Sequence, residues 1–171
     1  MTVFTKKRLQ KLSGILEEEF SYEDDLEFTY IGRPNGNYDP IWDFEPAEHV
    51  DSYLVSVYEE ALIPAESLAG KLHIGKPVVY FADVESLGDH IARYINGTST
   101  QPVIVASTRE LDDAEAEKTL FHELGHAYID STGTEVVDEE GVVEEFARMA
   151  LGGSDDRDKA VRWLLKVVSS S

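Results

Sequence analysis

Cysteine does not occur in this chain. That excludes a disulfide framework and any thiolate metal site, so a transition metal would have to be held by imidazole and carboxylate. Cationic residues are scarce: 15 Lys and Arg stand against 34 Asp and Glu, a formal net charge of −19 at pH 7. Such a surface repels phosphate backbones and anionic lipid, so neither nucleic-acid nor membrane binding is expected. It suits a basic or cationic partner, or a high-salt milieu. No apolar run approaches the roughly 20 residues of a bilayer span. The basic stretch Lys6, Lys7, Arg8 and Lys11 is not followed by the apolar core of a secretory leader. The expected location is therefore cytoplasmic. Neither a repeat nor a linker is evident, which points to one domain over residues 1–171. Apolar residues make up 42% of the chain, enough for a core rather than a disordered coil.

Against this background one stretch stands out: Thr119-Leu120-Phe121-His122-Glu123-Leu124-Gly125-His126-Ala127. It contains His-Glu-x-x-His inside a run that reads as a helix. Histidines four apart on a helix stand one turn apart on one face, so both imidazoles can reach one metal ion. Glu123 projects beside the same ion, where a carboxylate can take a proton from a water held there. A solvated helix face with two ordinary histidines is the plain alternative. Leu120, Leu124 and Ala127, with Ala116 a turn earlier, form an apolar stripe that anchors the opposite face. Gly125 costs about 1 kcal/mol relative to alanine within a helix; a second helix approaching closely beside the metal would account for it.

Residues 5–20 read as an amphipathic helix, 26–31 as a strand, and 32–37 as a turn. In residues 38–46, Trp42 and Phe44 are expected in the core. Residues 48–62 fit a helix closed by Pro64; His49 and His73 stand apart from any candidate ligand. Residues 76–81 read as a strand. Asp83 is placed to cap a helix in which Leu87, Ile91 and Ile95 share a face, with His90 and Arg93 on its surface and Asn96-Gly97 as its stop. Residues 102–106 form the next strand. Asp112 then caps the histidine helix, with Glu115 in capping-box spacing, and Gly133 breaks the chain after it. Residues 138–151 make a helix ended by Gly152-Gly153, and Ser154 opens the last. These elements predict an α+β fold, a small sheet packed on several helices with the histidine helix central.

A catalytic zinc usually has three protein ligands. The acids after His126 are Asp130, Asp138, Glu139, Glu140, Glu144 and Glu145. Val143, Ala147, Ala150 and Leu151 define the buried stripe of the later helix, and Glu140 and Glu144 lie on or beside it, one turn apart. A carboxylate on an apolar face is costly unless paired, so one of these two should meet a cation.

In these stretches the chain resembles the zincin metallopeptidases, specifically the gluzincins, which follow His-Glu-x-x-His with a glutamate ligand on a later helix. Glu144-Glu145-Phe146-Ala147 is similar to the Glu-x-Phe-Ala around that ligand in gluzincin aminopeptidases, which favours Glu144. The short chain and its strand–helix lead-in look like the compact ImmA/IrrE-type proteins of phages and prokaryotes. Their Glu-Ala-Asn-x-Phe-Ala motif is not met, since Val142 stands four before Phe146. The resemblance covers residues 102–151. It implies a Zn²⁺ ion held by His122, His126 and Glu144, with Glu123 as the catalytic base of peptide-bond hydrolysis on a peptide or protein substrate. In ImmA/IrrE relatives that substrate is often a repressor, which would make this a regulatory protease of a prokaryote or virus.

Tyr128, Tyr94 and His90 are candidates to stabilise the oxyanion, and the strand at residues 103–106 is a candidate sheet edge for an extended peptide. Two alternatives stand beside this reading. One is a non-catalytic zincin-fold regulatory or interaction protein, which would have no use for Glu123. The other is a protein whose histidines are incidental and whose acidic surface serves a basic partner.

Overall fold

A computed structural model describes residues 2–5, 27–36, 38–96 and 101–171. The helix expected over residues 5–20 lies outside them, apart from Thr5. The fold is α+β: a mixed five-stranded sheet with its helices gathered mainly on one face. The strands are β1 (Thr2–Thr5), β2 (Glu27–Ile31), β3 (Val78–Phe81), β4 (Ala92–Tyr94) and β5 (Val103–Ala106). Their order is β1-β2-β3-β5-β4, with β3 and β5 parallel and the other pairs antiparallel. The helices are α1 (Ser52–Lys71), the single turn α2 (Val84–Leu87), α3 (Asp113–Thr132), α4 (Glu139–Ala150) and α5 (Ser154–Ser169). No helix among the described residues is long and apolar enough to cross a membrane.

Strand alternation divides the interior in two. Ile31, Val79, Phe81, Ile104 and Ala106 turn toward α1 and α3 and join the main core. Phe28, Tyr30, Val78, Tyr80, Val103 and Val105 turn to the other face, covered by Leu87 and by Tyr38, Ile41, Phe44 and Ile95. Phe44 thus packs as expected, but Trp42 does not: it is 73% exposed. It follows Pro40 in a short 3₁₀ turn capped by Asp39, and that turn carries the indole away from the sheet.

Two helix boundaries differ from the sequence expectation. Pro64 does not end α1 but lies inside it. A proline in a helix interior costs about 3 kcal/mol, because one hydrogen bond is lost and the ring crowds the preceding turn. Beyond Pro64, Ala65, Leu68 and Ala69 are fully buried. Burying a leucine alone contributes about 1.5–3 kcal/mol, so packing of the second half outweighs the defect. Glu60, whose carbonyl loses its partner, is on the exposed side.

The helix expected after Asp83 is only one turn long. Asp83 caps it as anticipated, but Gly88 at φ +60° turns the chain into β4. Leu87 and Ile95 do lie on one face, beneath the sheet, whereas Ile91, expected with them, is exposed. A spacing of four residues is a multiple of the strand period as well as one turn of helix, so it does not distinguish the two. This difference places an edge strand, rather than a helix, beside α3.

Candidate metal centre

Helix α3 begins as the sequence predicts. The Asp112 carboxylate accepts from the Glu115 N–H (2.8 Å), Glu115 reciprocates to the Asp112 N–H (3.1 Å), and Gly133 closes the helix in the left-handed region at φ +68°. Ala116, Leu120, Leu124 and Ala127 are buried. The opposite face carries Lys118, His122 and His126 at successive turns. The two imidazoles are 5.1 Å apart, nearly edge to face, and their side chains are only 19% and 16% exposed.

Helix α4 crosses this face closely because of Gly125. A methyl group there would stand 3.0 Å from Val143 Cγ1 and 3.2 Å from Phe146 Cδ2. The glycine therefore sets both the distance between α3 and α4 and which turn of α4 meets the histidines. We expect Gly125→Ala to lower metal affinity. Its gain in helix propensity, about 1 kcal/mol, is opposed by overpacking of about 1–3 kcal/mol that moves α4 outward. Val143→Ala in the same chain should restore part of that affinity. Zinc titrations on the single and double variants check it, and a Gly125→Ala protein that binds like the parent would show the close contact to be dispensable.

With α4 at this register, four carboxylates surround the two imidazoles. His122 Nε2 lies 3.2 Å from Glu140 Oε2, and His126 Nε2 lies 2.9 Å from Glu140 Oε1. On the far side of each ring, Glu144 Oε2 is 3.1 Å from His122 Nδ1 and Glu139 Oε2 is 2.5 Å from His126 Nδ1. Glu144 also pairs with Lys118 at 2.6 Å, which, as a hydrogen-bond donor, holds its carboxyl below the usual carboxylate range. The fourth acid, Glu123, has its Oε2 at 4.0 Å from His122 Nε2.

Each imidazole therefore has a carboxylate at both nitrogens, whereas a neutral imidazole donates from only one. With Nδ1–H donated outward to Glu144 or Glu139, both Nε2 lone pairs face Glu140. Two lone pairs and a carboxylate converging on one point repel one another unless a cation, proton or metal, sits between them. His122, His126 and Glu140 each offer an atom to one cluster within 4.8 Å, and this donor set fits a metal ion. The Nδ1 contacts fix tautomer and ring orientation, the support that metal-ligating histidines usually have.

The sequence reading named His122, His126, Glu123 and Glu144 for the site and left Glu140 as an alternative. All five are brought together, but Glu144 stands at the outer nitrogen of His122 and Glu140 at the inner pair. Glu145 pairs instead with Arg148 on the exposed side, and Asp138 caps α4. Glu139, one of the six acids considered, lies further from the buried stripe yet meets His126; the sequence reading missed Lys118 and the part played by β4. Lys118 was legible as the residue one turn before His122, whereas nothing local singled out Glu139 from the other acids after His126.

Glu123 is the most buried acid of the site, 7% exposed. Its Oε1 accepts the Tyr94 backbone N–H at 2.6 Å. Burial pushes its carboxyl up to about 7, against the lowering influence of His126 and the Tyr94 N–H. A carboxyl with that value is poised to exchange a proton near neutral pH. Tyr94 also donates its hydroxyl to Asp130 (2.7 Å), tying β4 to α3 by a second contact. Two adjoining clefts, of about 430 and 350 Å³, open over the histidines and share His90, His122 and Glu123. Of the residues considered for oxyanion stabilisation, His90 and Tyr94 line the clefts, while Tyr128 packs against the main core. No protein-family model matches this chain, and neither a characterised protein nor a solved structure matches it.

Proposed function

We propose that the protein is a zinc-dependent peptidase in which His122, His126 and Glu140 hold the metal and Glu123 is the general base. The observation that carries this reading is the inward convergence of two Nε2 lone pairs and the Glu140 carboxylate beside a buried acid. Nitrogen and oxygen donors with no thiolate, three protein groups in all, match catalytic rather than structural zinc. Zinc supplies Lewis acidity that acidifies water and polarises a carbonyl oxygen.

The chain's own residues do the rest. Glu123, held by the Tyr94 N–H, takes the proton of the attacking water and passes it to the leaving amine. Glu144 and Glu139 keep the two rings aligned. An extended peptide finds its place on β4, the edge strand beside the metal centre; β5, the strand favoured from sequence, is interior between β3 and β4. The Ile95 N–H bonds the Val103 carbonyl and the Ser107 N–H bonds the Ile91 carbonyl, so residues 91, 93 and 95 face β5. By strand alternation the backbone groups of Ala92 and Tyr94 face outward. The Tyr94 N–H goes to Glu123, leaving the Ala92 N–H and C=O and the Tyr94 C=O to pair with substrate.

The test is to load the full chain with zinc and incubate it with a mixture of unstructured peptides, reading new termini by mass spectrometry. Cleavage that disappears with a chelator and returns with zinc is expected. Binding without cleavage would leave a non-catalytic metal protein of the same fold. Metal binding has its own readout. At free zinc about 100-fold above Kd, the native state should gain about 2.7 kcal/mol, a rise in Tm of roughly 5–10 °C for a domain of this size. The His122→Ala, His126→Ala double variant should show none of it.

A further inference from the structure

The sheet face turned away from the helices carries a second cavity, of about 250 Å³, bordered by Tyr30, Tyr38, Tyr80, Pro34, Pro40 and Asp39, with Gly36 at its rim. Strand alternation builds it. Tyr30 and Tyr80 are cross-strand partners on β2 and β3, with ring centroids 5.3 Å apart at 50°. Tyr38 stands beside them, its hydroxyl donated to Asp43 at 2.8 Å. Asp39 caps the adjoining 3₁₀ turn through one oxygen, which accepts the Ile41 N–H at 3.1 Å.

Two features point to a ligand. Tyr30 and Tyr80 are only 9% and 4% exposed, yet neither hydroxyl has a hydrogen-bond partner among the described residues. Neither oxygen is among the fully buried unpaired groups, which among the described residues are the Tyr58 hydroxyl and Arg157 Nε, so both remain accessible for a ligand to pair with. The second feature is the sign of the charge: a carboxylate borders the cavity, no cationic residue among the described residues does, and three aromatic rings surround it. An anion would be repelled by Asp39, and a neutral apolar group would strip its water without replacement. A cation satisfies the carboxylate and the ring faces together. The two phenol oxygens can accept hydrogen bonds from N–H donors, which a quaternary ammonium does not offer. The volume, below the usual 300–1,000 Å³ of small-molecule sites, suits one head group with its adjoining methylenes.

We infer that this cavity binds an organic cation bearing N–H donors, an ammonium or guanidinium head, between Tyr30, Tyr38, Tyr80 and the Asp39 carboxylate. A basic side chain of a protein partner and a free amine both present this chemistry. The site lies on the opposite sheet face from the metal centre and is independent of the proposed peptidase activity.

The experiment is an NMR titration of the full chain, following the tyrosine ring signals. Probes are N-acetyl-arginine methylamide, N-acetyl-lysine methylamide, spermidine, tetramethylammonium and the uncharged N-acetyl-norleucine methylamide. Saturable shifts at these rings are expected with at least one of the first three. The two amides responding alone would identify a peptide side chain as the source, and spermidine alone a free amine. Asp39→Asn should weaken binding about tenfold or more, equivalent to about 1.4 kcal/mol. It retains a good N-cap residue, and unchanged NMR signals from the main core confirm that the fold is intact. Tyr38→Leu should weaken the same probes. Absence of saturable shifts, norleucine binding as well as lysine, tetramethylammonium binding as well as the N–H cations, or no effect of Asp39→Asn would each overturn the proposal.

Discussion

Glu140→Ala should release the metal, and Glu144→Ala should retain most of it. Both glutamates lie on the face of α4 turned to α3, one turn apart, and helical spacing alone gives them equal claim. The contact of Gly125 with Val143 and Phe146 decides between them by fixing which turn of α4 faces the two Nε2 atoms. Glu140 reaches both at 2.9 and 3.2 Å, whereas Glu144 meets Nδ1 of His122 and Lys118 Nζ. Removing an outer partner of a ligating histidine typically costs about 10–100-fold in metal affinity, so Glu144→Ala belongs in that range. Glu140→Ala should exceed it, because one of three ligands is gone and two imidazoles rarely suffice. Competition against a chelator of known affinity, run on both variants, measures the ranking. Retention by Glu140→Ala with loss by Glu144→Ala would return the third ligand to Glu144, as the gluzincin resemblance implies.

Glu123→Gln should keep the metal and lose hydrolysis. The amide preserves size and offers an oxygen to the Tyr94 N–H, so the 2.6 Å contact from β4 survives, but it does not accept a proton. General acid–base contributions of this kind are about 10²–10⁴-fold in rate. Zinc content and Tm should match the parent within error while peptide cleavage falls by that factor. A variant that cleaves at the parental rate would place the base elsewhere; His90, at the junction of the two clefts, would be the next residue to replace.

How much of this was legible beforehand varies with the range of the interaction. The α+β class, the α3 helix with its Asp112–Glu115 capping box and Gly133 stop, and the pairing of His122 with His126 over Glu123 all follow from local rules. Residues three or four apart on a helix share a face whatever surrounds them. The close approach at Gly125 was legible too, since an unfavoured residue inside a strong helix points to steric need.

What tertiary structure alone decided are the questions in which two local solutions are nearly degenerate. Leu87, Ile91 and Ile95 fit a helix and a strand equally well until β5 offers β4 a hydrogen-bonding edge. Pro64 ends an isolated helix, but the buried residues beyond it hold α1 together. Trp42 is apolar enough for the core, yet the Asp39–Pro40 turn carries it outside. Glu140 and Glu144 share one face of α4, and only the register of that helix against α3 selects the carboxylate that meets both Nε2 atoms. Sequence periodicity specifies which face of an element is turned inward. The partner it meets there, and at which turn, depends on packing contacts between residues far apart in the chain.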